Sequence, residues 1–336
     1  MHEDSIIKVK FVTEKKMGHG EDAPPLLMIK GNAYAVGVFD GMGGAGATIC
    51  ESDYGNDYTK AYVASRIVAS AVELFLANHL STDDVTAEDM KAVIARKLKE
   101  EQEKFSPQTK SMLRSKLVRD YPTTMAIVTL TENENNENNL RFDSYWAGDS
   151  RCYLWTKKGF YQISKDDLEG DNDPLENLHN DSVVSNCICA DRDFHIGHLS
   201  QVLSKEPVAI ICATDGCFGY FPTPMHFEHM LKSSLRKSKD EKDWQEKINY
   251  CIQKVTGDDT SLSLIGVGFN SFEQFKNMMT SQTVSSIGKI KDLENNIIRL
   301  KTRLEQTSNE YDKAIKSGWE SYKQNYMKYL NDKGNA

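Results

Sequence analysis

Apolar residues recur with two different periods along this chain. Short β-branched and aromatic runs at 8–13, 33–39, 125–131, 140–147, 152–156, 208–213 and 261–269 are bounded by turn residues and predict strands. A helix starting near Asp57 is predicted by Ala61, Ala64, Ser65, Val68, Ala71, Val72 and Phe75, which share one helical face. So many small residues on that face predict close packing against a sheet. Further helices are predicted at 86–104, at about 107–119, from the Thr223-Pro224 start to about Lys237, and at about 240–255. The polar stretch 131–139 lies between two strand runs and reads as a hairpin tip. Strands and helices fall in blocks, without strict alternation. That order predicts an α+β fold of antiparallel sheets with helices packed outside them.

From about residue 271 the β-rich runs stop and a charged, helix-like tail is predicted, dividing the chain into a body (1–270) and a tail (271–336). In the tail Ile290, Leu293, Ile297, Leu300, Leu304, Thr307, Tyr311 and Ala314 alternate steps of three and four, a heptad seam interrupted near Gly318. Trp319, Tyr322, Tyr326 and Tyr329 continue as an aromatic stripe. Three readings stay open for 287–330: a helical hairpin on the body, self-association, or docking of a partner.

Composition narrows the classes of function. The 336 residues carry 41 Lys plus Arg against 49 Asp plus Glu, a net charge of −8. That balance argues against broad attraction to nucleic acid or anionic lipid, so neither is an expected partner. No uninterrupted apolar run reaches the roughly 18 residues that cross a bilayer, and the opening MHEDSIIKVK has no signal-peptide pattern, so a cytosolic location is expected. The seven cysteines lack C-x-x-C spacing. Cys187 and Cys189 flank Ile188 in an apolar run, where a strand puts both thiols on one face; reduced, buried thiols are expected, and not a zinc site.

The chemistry gathers at strand ends. In AYAVGVFDGMGGAG (33–46) an apolar strand runs into Asp40 and then into glycines that satisfy G-x-G-x-x-G. A dinucleotide turn fits poorly, because Asp40 would repel the pyrophosphate and the polar segment 51–56 delays the helix that should hold it. A tight turn with glycine at positive φ is the purely structural alternative. Asp149 in GDSR, Asp215 after VAIICAT and Asp258 before SLSLIGVGF occupy similar settings. Carboxylates at strand ends can converge, and hard oxygen donors without His or Cys suit Mg²⁺ or Mn²⁺.

Six segments, Gly20-Glu21-Asp22, VFDGMGG, PTTMAIV, WAGDSR, ATDG and GDDTSLSLI, stand in the order found in the metal-dependent serine/threonine protein phosphatases of type 2C, which this chain resembles over about 8–270. The resemblance implies a four-layer αββα sandwich of two antiparallel sheets with a metal cluster at one end. It implies Mn²⁺ or Mg²⁺, two ions with a third weaker one, and a phosphorylated protein as substrate. Asp40 matches the carboxylate bridging two metals, Gly41 offers its carbonyl to one, and Glu21 matches the early acidic ligand of the second metal or a holder of its water. Asp215 and Asp258 match ligands of the first metal, and Asp149 with Asp215 matches the pair for the third. Asp40, Asp215 and Asp258 are thus the implied catalytic set, with Asp22 and Asp259 adjoining it.

The chain also departs from that pattern. Met17 stands where many members carry a phosphate-gripping arginine; Lys15, Lys16 or His19 are the candidate substitutes, with Lys16 and His19 taken as substrate-binding. Met42 replaces a histidine common in animal members and matches bacterial ones. Pro122 replaces a glycine, and the acidic stretch 161–186 occupies the place of a variable flap. Phosphoserine/phosphothreonine hydrolysis is the function the resemblance implies. The alternative is a silent phosphatase-like module that scaffolds a partner through its C-terminal helix.

Overall fold

A computed structural model of the chain describes residues 6–50, 58–81, 85–104, 118–132, 139–170, 173–179, 182–282 and 287–328. One five-stranded sheet runs in the order β1 (Ile7–Thr13), β12 (Thr260–Val267), β11 (Val208–Ala213), β8 (Arg151–Thr156) and β9 (Gly159–Gln162). The second runs β10 (Gly197–Ser204), β7 (Asn139–Ala147), β6 (Met125–Glu132), β3 (Ala33–Val38) and β2 (Leu26–Lys30). Every pairing in both is antiparallel. A short ribbon joins β4 (Ile49–Cys50) to β5 (Tyr58–Thr59).

Strand alternation builds the layers. On β11, Val208, Ile210 and Cys212 face an inner core shared with Val36 and Val38 of β3 and Val128 of β6. Ala209, Ile211 and Ala213, one residue out of phase, face an outer core with helices α6 (Pro224–Arg236) and α7 (Glu241–Gln253). The other sheet's outer face packs against α2 (Lys60–His79) and α3 (Ala87–Lys104). Two sheets face to face with helices on both outer sides make the expected αββα sandwich.

The predicted small-residue face of α2 is the buried one: Ala61, Ala64, Ser65, Val68, Ala71, Val72 and Phe75 lie within it. By length and composition α2 would span a bilayer, but that face is packed in the core. Most of the helix predicted at 107–119, residues 107–117, and residues 133–138 of the predicted tip at 131–139 lie outside the described residues. Local pattern gives no signal for the edge strands β2, β9 and β10. On β10 most positions are exposed or only partly buried, so no apolar alternation marks it.

The chain forms two compact units, Met1–Thr283 and Val284–Ala336. The body thus runs past the expected boundary at 270. The reason is α8 (Phe272–Met279), whose Phe275 packs 5.3 Å from the Trp244 ring and, with Met279, enters the outer core of the first sheet. The second unit contains α9 (Ile287–Tyr326), a single 40-residue helix. All seven cysteines are free thiols, six of them buried.

Candidate active site

Strand β3 is buried throughout and ends at Phe39-Asp40. The Asp40 carbonyl is held twice, by the Thr124 N–H at 2.8 Å and the Thr123 hydroxyl at 2.6 Å. Backbone bonds between Thr123 and Ile188 fix that segment in turn. Just before it, buried Tyr121 holds φ at 55°, a left-handed conformation disfavoured for a bulky residue. Backbone strain therefore sits in the segment that clamps Asp40.

The glycines after Asp40 serve close approach. None of Gly41, Gly43, Gly44 and Gly46 has positive φ, which removes the turn-only explanation. A Cβ on Gly41 would lie 2.7 Å from the carbonyl oxygens of Ala61 and Glu21, and one on Gly43 would fall inside the van der Waals envelope of Glu21 Oε2. The chain folds straight into a four-residue helix, α1 (Gly43–Gly46). This turn is thus shaped to bring the Gly20–Asp22 segment against residues 40–43.

That segment is pinned from two other sides. Asp259 accepts the N–H groups of Lys15 and Glu21 at 2.7 and 2.6 Å. The Arg66 guanidinium, from α2, donates to the carbonyls of Glu21 and Asp22 at 3.3 and 3.0 Å and lies over the Tyr62 ring. Glu21 itself accepts a 2.6 Å bond from Thr59. Sequence reasoning missed Arg66, because on the helix it is one more polar position.

Asp215 begins α5 (Asp215–Phe218) directly after β11, and Asp258 and Asp259 precede β12, which pairs with β11. Asp149 lies in the β7–β8 turn after Gly148, whose φ is 99°. These turns open on one pocket of about 310 Å³. Glu21, Asp40, Asp149, Asp215, Asp258 and Asp259 all line it, together with Gly41 and Met42, and among the described residues that line it none is Lys, Arg or His. Asp22 lies behind it, 2% exposed, taking a 3.0 Å bond from Thr214.

So much uncompensated negative charge shows in the acidities. Burial, then the neighbouring carboxylates, raise Asp40 and Asp215 above the ordinary carboxylate range. Burial and Asp215 raise Asp22 and push Asp149 up to about 8. Glu21 is raised chiefly by burial. Among the described residues no three acidic, His or Cys side chains are already closed around one ion position. Asp22, Asp215, Asp149 and Asp258 each lie close enough to Asp40 to disfavour its charged form, so the pocket favours bound protons. Divalent cations fit this donor set, because they would replace those protons and match hard oxygen ligands.

Two predicted substrate-binding residues are not brought in. Lys16 and His19 lie in an exposed turn closed by a bond from the His19 N–H to the Lys16 carbonyl, and neither lines the pocket. Met17 is 94% exposed, and the Lys15 ammonium is bound to the Thr256 carbonyl at 2.7 Å.

A family model described as protein phosphatase 2C matches residues 20–252, more than half of the chain. The chain belongs to the protein phosphatase 2C family. No curated protein matches its sequence. Among solved structures, a bacterial serine phosphatase is 16% identical over 79% of this phosphatase 2C chain and 98% of its own, with a TM-score of 0.55. The serine/threonine phosphatase Stp1 from Staphylococcus aureus is 16% identical over 78% and 94%, with a TM-score of 0.53. The catalytic domain of the phosphatase PstP, solved with two manganese ions, is 14% identical over 79% and 99%, with a TM-score of 0.50. At these identities the likeness shows the shared fold. The family match ends before Asp258, so Asp258 and Asp259 are placed in the pocket by the structure alone.

Proposed function

We propose that this protein is a Mn²⁺- or Mg²⁺-dependent phosphatase that removes phosphate from phosphoserine and phosphothreonine in proteins. One observation carries the reading: six carboxylates from five separate turns line one open pocket, with no basic side chain beside them among the described residues. Glu21, Asp40, Asp149, Asp215 and Asp258, with the Gly41 carbonyl, are the residues that would hold two ions and a third. Such ions, when bound, acidify water and neutralise the phosphate ester.

The chain's own residues set the rest. Among the described residues no arginine lines the pocket, so its carboxylates would repel a phosphate dianion unless bound cations neutralised them. Asp259 and Arg66 hold Glu21 by its backbone and leave its carboxylate to the pocket. Met42 has no proton to give and, among the described residues, no histidine lines the pocket, so the leaving alkoxide takes its proton from solvent or from a pocket carboxyl. Seven unpaired thiols support a reducing, cytosolic setting.

The test is hydrolysis of p-nitrophenyl phosphate and of a phosphothreonine peptide with Mn²⁺, with chelator, and by Asp40→Asn and Asp215→Asn. Chelator should abolish turnover, and each substitution should lower it about a hundredfold or more while circular dichroism is unchanged. Turnover that survives chelator and both substitutions refutes the proposal.

A further inference from the structure

The second unit leaves an apolar stripe uncovered. On α9 only Ile287 is buried. Leu293, Ile297, Leu300, Leu304, Tyr311, Ile315, Trp319, Tyr322 and Tyr326 are each between 43% and 71% exposed. A 40-residue helix is about 60 Å long, and a continuous apolar stripe of that length marks an interface.

The spacing and residue types identify what covers it. Ile290 and Ile297 fall at heptad position a and Leu293 and Leu300 at position d, the combination that favours two parallel strands. Leu304 continues the seam. Tyr311, seven residues on, keeps the same position; beyond it the large residues shift to Ile315, Trp319, Tyr322 and Tyr326, with 11 residues from Ile315 to Tyr326, a spacing that straightens the pair.

Direction follows from the unequal halves of the seam. A full antiparallel overlap of the heptads would set Ile290 against Ser321 and Leu293 against Gly318 of the other copy. Parallel, in-register pairing sets like on like. It also places Lys289, at position g, beside Glu294 of the second copy, at position e. Of the remaining g-to-e pairs, Asn296–Lys301, Arg303–Ser308, Glu310–Ile315 and Ser317–Tyr322, none sets like charges together. We infer that α9 pairs with α9 of a second copy of this chain as a parallel, in-register two-stranded coiled coil, making the phosphatase a dimer.

The test uses the full chain, whose single-copy mass is 38.0 kDa. Light scattering at micromolar concentration should return twice that mass. The double substitution Ile297→Asp/Leu300→Asp should return one copy while leaving p-nitrophenyl phosphate hydrolysis unchanged, which shows the body still folded. Lys289→Glu and Glu294→Lys should each weaken the dimer about tenfold, and the double reversal should restore it. Leu293→Cys should form a covalent dimer under mild oxidation, and Ile298→Cys, off the seam, should not. A single-copy mass for the unaltered chain overturns the inference, as does a dimer that survives Ile297→Asp/Leu300→Asp. Failure of both the charge reversal and the Leu293→Cys cross-link overturns the parallel arrangement.

Discussion

Removing the Arg151 charge while keeping its stem, by Arg151→Met, should destabilise the catalytic body by about 3–5 kcal/mol, the range for breaking one side of a buried ion pair. Arg151 and Asp166 are 2% and 3% exposed. The guanidinium donates to Asp166 from Nε at 3.0 Å and from Nη2 at 2.6 Å, and to the Pro174 carbonyl at 3.2 Å. It also lies 4.4 Å over the Phe218 ring. Without it the Asp166 carboxylate keeps, among the described residues, the amides of Gln162 and Asn177, at 3.1 and 2.8 Å. Methionine keeps the apolar stem and removes the guanidinium with its hydrogen bonds and its contact on Phe218, so the loss measures the whole charged group. Urea denaturation followed by near-ultraviolet circular dichroism measures it, and Arg151→Met/Asp166→Leu should recover at least half, because the orphaned charge is gone. The pair also ties the acidic excursion after β9 to the strand that follows Asp149. A cavity of about 390 Å³ lies there, lined by Asp149, Asp166, Asn177 and Asp215 among others. The same substitution should therefore raise KM for a phosphopeptide more than for p-nitrophenyl phosphate. A stability loss below about 1 kcal/mol, the figure for exposed pairs, refutes the reasoning.

Two further outcomes test the pocket. In chelator, Asp22, Asp40, Asp149 and Asp215 bind protons more tightly folded than unfolded, so their contribution to stability is fullest below the ordinary aspartate value of 3.8 and is lost as pH rises, for Asp149 through about 8. The urea midpoint of the metal-free protein should fall across that window and saturating Mn²⁺ should flatten it; a metal-free profile that is already flat counts against the cluster. Gly43→Ala puts a methyl group into Glu21 Oε2 and should raise the Mn²⁺ concentration for half-maximal activity about tenfold or more, the scale for disturbing a metal ligand's support, with a loss of stability under about 2 kcal/mol. Unchanged Mn²⁺ dependence removes Glu21 from the ligand set.

The layered fold was legible because strand and helix periods are local. Ile210 and Ile211 are neighbours in sequence and belong to different cores, which alternation alone implies once both faces of a strand are apolar. The acidic strand ends were equally visible as residues. Their purpose was not, since an aspartate in a turn looks the same whether it caps a helix, as Asp240 does for α7, or faces five other carboxylates, as Asp40 does. The resemblance of ordered motifs supplied what periodicity lacked. It gave no placement for Lys16 and His19, whose departure from the family pattern left their position to the turn they close.

Local pattern settles which faces are apolar, where the carboxylates fall along the strands, and that the tail carries a helical seam. Folding in three dimensions adds that β12 pairs with β1 from the far end of the chain, which sets Asp259 against the backbone of Lys15 and Glu21, and that β11 ends beside β12, which sets Asp215 near Asp258. It also shows that the glycines after Asp40 serve close approach and that Arg66 and Arg151 hold the walls. Range explains the division. Side-chain periodicity is written within a few residues, whereas the meeting of strand ends depends on sheet order, a property of pairings between segments more than 200 residues apart.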